Sequence, residues 1–546
     1  MSVYFYLFET QSIQSYILNT NQLKEISGAS ELLESITGDI LQDTLKTVCG
    51  DKNLITHARY SSGTFYAFSD NAQAMEKFTA LWPLIVRQYA PDLSFVQAQG
   101  QGDTYYNAYR NALGKLLVMR NSPVARLPQA PPMAERCRRT GEVAVGWHDT
   151  IKNTENIEAI DAATLRKLDK KLWTGENLIK RLAPDAPWYA WPLDLNSQYT
   201  KNTPNQHQFP FLKTERNLAL VHANGNNLWQ LLNSLEEFGH KSPNLYTEIF
   251  NACSTAIMAA TEKATQIATQ LVLEPKQQDG IYPARPIVLG GDDITILIRS
   301  DLALNFTRCF LQQFTKQNDI MLLKVKVKFP NLKLPQPRTA CAGILYAKAN
   351  HPLHTLHELT IDLCQHAKKL SKIQDSENVP TSISWHRITT VLVDNYEAIL
   401  KQELTLGNLR HTLECYALEK DQGLAALDDL LKLRTLLTPF DSTQSKFSKG
   451  AIGELAGLIG HDATQTTRQY KRWRERFRQR SPEKLAQFDS LLMELGITQA
   501  SGDLPYSGSK TSKLRSTAIG DLMTLKAVGD TCHIQIAEGA KTCVAN

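Results

Sequence analysis

The sequence predicts an α+β chain of several domains, on three observations. Its 546 residues have an ordinary globular composition, β-forming runs alternate with helical spacing up to about Asp394, and beyond that point the β-forming runs become rare. A chain this long exceeds one ordinary core, so a few domains are expected. No apolar run is long enough to span a bilayer, and the opening MSVYFYLF lacks a basic start and a small-residue cleavage site. It reads as a strand of a cytoplasmic protein with no membrane partner. The nine cysteines are scattered without a Cys-x-x-Cys pair, which argues against a zinc ribbon or a disulfide framework. A net charge of +5 is mild for this length, so any nucleic-acid contact must come from local clusters.

Taken in order, a strand at Val3 to Phe8, a helix from about Ile13 to Ile36 and a strand at Phe65 to Phe68 behind Ser61-Ser62-Gly63 make a small α/β unit. Pro123, Pro128, Pro131 and Pro132 then interrupt both helix and sheet, and mark a boundary before Cys137-Arg138-Arg139-Thr140-Gly141. A polar, charged insert runs to about Pro204. Asn217 to Val221 is a buried-type strand that leads into Asn224-Gly225-Asn226-Asn227 and a long helical stretch. A hairpin, a helix near Leu302 to Gln317, a strand at Thr339 to Tyr346 and a helix from about Leu353 to Leu370 follow. The order strand, helix, hairpin, helix, strand is that of a ferredoxin-like palm. Helical spacing at Leu424 to Leu437 and Leu485 to Leu495 then predicts a C-terminal helical bundle.

The hairpin carries the chemistry. Gly290-Gly291-Asp292-Asp293 lies between the β-formers Pro286 to Leu289 and Ile294 to Ile298, so glycines free the turn and two carboxylates face outward together. Alone the four residues are ordinary turn chemistry. In a palm order they become a seat for Mg²⁺ or Mn²⁺, hard cations that take carboxylate oxygens and substrate phosphates during phosphoryl or nucleotidyl transfer. A second ligand is expected from the first palm strand, where Asn224 offers an amide oxygen without charge. Gly225 and the N–H groups of Asn226 and Asn227 at a helix start could cradle a triphosphate; a plain strand-to-helix turn is the competing reading. Lys368, Lys369 and Lys372 could reach triphosphate oxygens if their helix borders the cleft, against the default of a solvated face.

The densest basic stretch supplies Arg468, Lys471, Arg472, Arg474, Arg476, Arg478 and Arg480. Tyr470, Trp473 and Phe477 share one helical face there, so the aromatics pack a bundle and the cations meet RNA phosphates, an acidic partner or solvent. Gly343 marks a close backbone approach within the sheet. The pairs His148-Asp149 and His461-Asp462 lack the further histidines of a metal phosphohydrolase. Walker A and serine-hydrolase motifs are absent.

With these residues in place, the chain resembles the large palm-domain subunit of type III CRISPR effector complexes, the family that makes cyclic oligoadenylates. The resemblance runs in order through Gln11 to Ile17, Leu23 to Leu33, Ser61 to Thr64, His222 to Asn227, Gly290 to Asp293, Ala342-Gly343-Ile344, His351-Pro352-Leu353 and Ala367-Lys368-Lys369. It implies two facing ferredoxin-like palms, an acid-less one over 1–125 and a GGDD one over 206–395. A connecting segment over 126–205 and a helical domain over 396–546 complete the arrangement. It also implies ATP as substrate, Gly290 and Gly291 beside the nucleotide, small effector subunits, guide RNA and target RNA as partners, and a role in antiviral defence. Three departures accompany it. An N-terminal HD nuclease domain is expected to be missing, because the first strand begins at Val3. Only Cys137 stands where the family often has cysteine pairs, so zinc is not expected. Asn224 replaces the first-strand acid. An inactive palm scaffold that organises the ribonucleoprotein, and more distantly a GGDEF-like dinucleotide cyclase, are the alternatives.

Overall fold

Aromatic and aliphatic residues in succession make Val3–Thr10 a strand (β1) that is buried at its centre. The computed structural model describes residues 2–50, 52–61, 63–122, 133–149, 157–195, 207–212, 216–334, 338–389, 395–420, 422–437, 463–497, 504–507 and 513–532, with 453, 456 and 457. Ser62, the four prolines from Pro123 to Pro132, Pro204, Asp394 and His461-Asp462 lie outside them.

The single N-terminal helix expected from the sequence is broken. Asn19, Thr20, Asn21 and Gln22 separate α1 (Ile13–Leu18) from α2 (Leu23–Thr37), and Gly38 divides α2 from α3 (Asp39–Cys49). A hairpin of β2 (Thr56–Ser61) and β3 (Thr64–Ser69), helix α4 (Ala72–Tyr89), strand β4 (Phe95–Gly102) and helix α5 (Tyr105–Arg120) complete the unit. Asn71 and Thr104 start the last two helices by accepting from Ala74 N–H and Asn107 N–H. The sheet order is β2-β3-β1-β4, antiparallel throughout.

The connecting segment is more structured than a polar insert. It holds the hairpin β5 (Ala144–Asp149) and β6 (Ile157–Asp161) and the short helices α6 (Ala162–Lys167), α7 (Lys170–Trp173) and α8 (Asn177–Leu182). His148 lies on β5. Buried charge ties the segment to the first unit: Arg139 bridges Glu25 of α2 and Glu158 of β6, and the buried Lys167 ammonium donates to Tyr16 C=O at 2.6 Å. Cys137 is buried. Among the described residues there is no group of three or more His, Cys, Asp or Glu side chains placed to hold a metal ion.

The second unit repeats the first in order. Strand β7 (Asn217–Gly225) is followed by α9 (Leu228–Lys241), α10 (Tyr246–Ala268), the hairpin β8 (Ala284–Leu289) and β9 (Asp293–Arg299), α11 (Ala303–Lys328) and β10 (Ala340–Lys348). Then come α12 (Leu353–Gln374) and β11 (Ser382–Arg387), which pairs parallel with β10. The strand order β10-β7-β9-β8 matches that of the first sheet, position for position. Gly343 does mark a close approach, but to a helix. A Cβ there would stand 2.4 Å from Thr360 C=O and 2.6 Å from Cys364 N, so its absence lets α12 lie on β10.

The C-terminal part is helical only in part. Helices α13 (Tyr396–Gln402) and α14 (Leu427–Leu437), with Ala463–Arg480, Pro482–Glu494 and Ile519–Ala527, are accompanied by two-residue strands. Tyr416–Ala417 and Ala425–Ala426 extend the second sheet, while Thr405–Leu406, Leu409–Arg410 and Arg515–Ser516 form a small separate one.

Cores bridge the units. Leu218, Leu220 and Leu345 of the second sheet share one with Ile26 and Leu33 of α2. The first half of α10, with Tyr246 and Phe250, packs on Tyr66 and Phe5 of the first sheet. The second half, with Ala264 and Ala268, packs on the second. About 34 Å of helix, at 1.5 Å per residue, therefore spans both units. No helix among the described residues is long and apolar enough to cross a membrane.

Candidate functional site

Antiparallel pairing places Asn224 of β7 opposite Asp293 of β9, at the end of the second sheet where the turn Gly290-Gly291-Asp292 emerges. The turn is pinned from three sides. Gly290 N–H donates to Asp293 C=O at 2.8 Å, Thr261 Oγ1 donates to Gly291 C=O at 2.7 Å, and Arg181 Nη1 donates to Leu289 C=O at 2.8 Å. Missing side chains make room for the acids. A Cβ on Gly290 would fall 1.6 Å from Asp293 Oδ1, and one on Gly225 would fall 2.8 Å from Asp292 Oδ2. Both glycines thus serve the carboxylates directly, and Gly225 N–H also donates to Asp292 C=O at 2.9 Å.

The two aspartates are half-buried and adjacent. Burial raises the Asp292 carboxyl above its usual range, against the pull of Lys368 and Arg338. Burial pushes Asp293 further, up to about 7, and the neighbouring Asp292 adds to the rise while Lys368 and Arg181 oppose it. An acidic pair whose protons are held this tightly is short of positive charge.

Lys368, from α12, reaches this end of the sheet. Its ammonium donates to Asn224 Oδ1 and, at 2.7 Å, to Gly225 C=O. Lys369 and Lys372 are exposed on the same helix, and among the described residues neither is hydrogen-bonded to the cleft. The strand-to-helix loop differs from the expected phosphate cradle. Asn226 N–H is spent on Thr339 C=O at 2.8 Å and its amide donates to Thr339 Oγ1 at 2.9 Å, so that N–H is not available to a triphosphate. Asn227 is left-handed with φ 58° and donates its amide to Glu377 C=O at 2.9 Å. Among the described residues the Oδ1 atoms of both are buried acceptors without a hydrogen bond.

Sequence reasoning missed Thr261, Thr339 and Arg181, which fix the turn and loop. They come from α10, the approach to β10, and α8, far away in the chain, and no spacing announces them. It also missed the buried pair behind the cleft, where His222 Nδ1 meets Thr295 Oγ1 at 2.9 Å and the His357 ring stands 6.1 Å away. Burial lowers His222 to about 3 and His357 to about 4, so both are neutral near pH 7.

The basic helix Ala463–Arg480 turns Tyr470 and Trp473 into the core, 0% and 4% exposed, with Phe477 packed beside them. Arg474 is committed within the protein, to both oxygens of Asp489 at 2.6 and 2.7 Å. Arg468, Lys471, Arg472, Arg476, Arg478 and Arg480 are exposed.

No protein-family model matches the chain, and neither does any curated protein. Solved structures are similar over most of its length. Csm1 in T. onnurineus is 12% identical with a TM-score of 0.47, covering 97% of this chain and 70% of that one. A Csm1-Csm4 cassette in complex with pppApApA is 12% identical with a TM-score of 0.48, covering 96% and 69%. The Csm1-Csm4 subcomplex in the type III-A CRISPR-Csm interference complex is 13% identical with a TM-score of 0.38, covering 90% and 70%.

Proposed function

We infer that this chain is the palm-bearing large subunit of a type III CRISPR effector complex, and that Asp292 and Asp293 hold Mg²⁺ or Mn²⁺ for the 3′ to 5′ joining of adenylates from ATP into cyclic oligoadenylate. In this reading both units are ferredoxin-like palms, the connecting segment and the helical C-terminal part position them, and small subunits with guide and target RNA are the partners. The observation that carries it is the acidic turn itself: two carboxylates with elevated proton affinity, seated in glycine-made space against Asn224, within reach of one lysine.

The donor set fits a hard cation. Asp292, Asp293, Asn224 Oδ1 and Gly225 C=O offer oxygens only, and Mg²⁺ typically uses one or two carboxylates and completes its shell with water and phosphate. When bound, such an ion neutralises the triphosphate and eases loss of the 3′-hydroxyl proton. The chain's own residues do the rest. Asp292 and Asp293 fix the charge at the sheet end, Gly225 and Gly290 keep the cleft open, and Lys368 is placed to exchange its two neutral partners for phosphate oxygens.

Incubating the purified chain or its complex with ATP and Mn²⁺, with and without target RNA, is expected to give oligoadenylate products that the double variant Asp292→Ala, Asp293→Ala loses by at least about a hundredfold. Absence of product under every condition, or product unchanged in the double variant, contradicts the reading. A scaffold that binds without turnover is favoured by one contact, the Lys368 bond to Asn224 where the family carries an acid. Asn224→Asp separates the two, since a large gain in product identifies an attenuated enzyme.

A further inference from the structure

The second sheet has another polar end. At β7 Asn217 and β10 Lys348, directly paired and about 23 Å from the acidic turn at 3.3 Å per residue, the pleat turns side chains of one face toward a cavity of about 340 Å³. Tyr346, two residues before Lys348, shares that face, and parallel pairing sets Arg387 of β11 beside it. His351 follows in the turn that donates its N–H to Lys348 C=O at 3.1 Å, and Val528 closes the far wall.

The charge there is unbalanced. Among the described residues the lining has no carboxylate, and no acidic partner is found there for Lys348 or Arg387. Two acids act on the Tyr346 hydroxyl, Asp301, which pairs with Arg299 at 2.7 Å, and Asp530, which pairs with Arg434 at 2.7 Å through one oxygen. Tyr346, 1% exposed, adds to the wall of the cavity, and its buried hydroxyl has Asp530, Arg434 and Asp301 as charged neighbours. Two cations without an acidic partner among the described residues, beside Asn350 and His351, form an arrangement that an anion with several acceptor oxygens would complete.

We propose that this cavity is a phosphate-binding site, separate from the acidic turn, in which Lys348 and Arg387 pair with a phosphoryl group while Asn350 and His351 supply hydrogen bonds. The phosphoryl group belongs either to a free nucleotide or to the backbone of single-stranded RNA. The site does not depend on the catalytic reading above. Guanidinium and ammonium together suit the group because the fork holds two oxygens and the point charge a third.

Lysine acylation footprinting of the full chain tests it, read by mass spectrometry. EDTA removes divalent cations, so nucleotide binding at Asp292 and Asp293 does not contribute. Inorganic phosphate, ATP and a dodecamer of single-stranded RNA are the probes, and exposed Lys46 is the internal reference. At saturation the acylation rate of Lys348 is expected to fall about fivefold relative to Lys46 with at least one probe. Protection by RNA alone assigns the site to a backbone diester; protection by phosphate or ATP assigns it to the free group. Arg387→Gln should abolish the protection while leaving the circular dichroism spectrum unchanged. Unaltered Lys348 reactivity with all three probes in the native chain overturns the proposal, whether or not the variant folds, and so does full protection persisting in a folded Arg387→Gln protein.

Discussion

Asp293 is half-buried beside a second carboxylate, and this fixes how its charge responds to pH. Its proton is held up to about 7 in the folded chain, against an ordinary value of 3.8. Between roughly pH 4 and 7 the folded state therefore keeps a proton that the unfolded state has released, so the group lowers stability as pH rises through that window. In metal-free buffer Asp293→Asn is expected to stabilise the chain at pH 8 by on the order of 2 kcal/mol, with the gain shrinking toward pH 4. Thermal melts at the two pH values measure it. A gain that is absent at pH 8, or larger at pH 4, would show that the pair is not under charge strain. Asn224 is the other residue on which the site turns. It was visible in the sequence as an uncharged substitute, whereas its bond to Lys368 needed the packing of α12 on the sheet.

At the level of elements, glycines decide what lies against what. Gly343→Ala drives a methyl group into the α12 backbone at Thr360 and Cys364, and is expected to cost about 1–3 kcal/mol in a denaturant titration. Gly225→Ala meets the Asp292 side chain first, so it should displace the acid and weaken Mn²⁺ binding with a far smaller loss of stability. Equal losses of stability in the two variants would mean that Gly225 supports the fold and not the site. The second unit's order of strands and helices was readable because Leu218 to Val221, the GGDD flanks and Ala340 to Tyr346 are short, largely apolar runs without charge. The first unit was read only in fragments. Thr56–Ser61 is polar and short, and Phe95–Gly102 is diluted by Gln97, Gln99 and Gln101, so neither strand stood out although the alternation of Phe95, Gln97 and Gln99 with Val96, Ala98 and Gly100 was there to see. Propensity carried the N-terminal helix through Asn19 to Gln22, where the chain breaks it.

Across the whole molecule, the two sheets share an order of strands and are bound into one body by α2, α10 and mixed cores. Such contacts join residues hundreds of positions apart, which periodicity cannot register. The same holds around the acidic turn, where Asp292 and Asp293 stand out within four residues, whereas Arg181, Thr261 and Thr339, which hold the turn and loop, come from distant elements. The C-terminal aromatics were placed correctly on the inner face of their helix, and Arg474 was lost to Asp489 because its partner lies on the next helix. The account stands or falls on whether the acidic turn binds a metal-bearing nucleotide. The direct measurement is an electron paramagnetic resonance titration of Mn²⁺ into the full chain at pH 8 with AMPPNP, for the native protein and for Asp292→Ala, Asp293→Ala. The account predicts nucleotide-dependent Mn²⁺ binding in the native chain, weakened at least about a hundredfold in the variant; equal binding in both, or none in the native chain, would contradict it.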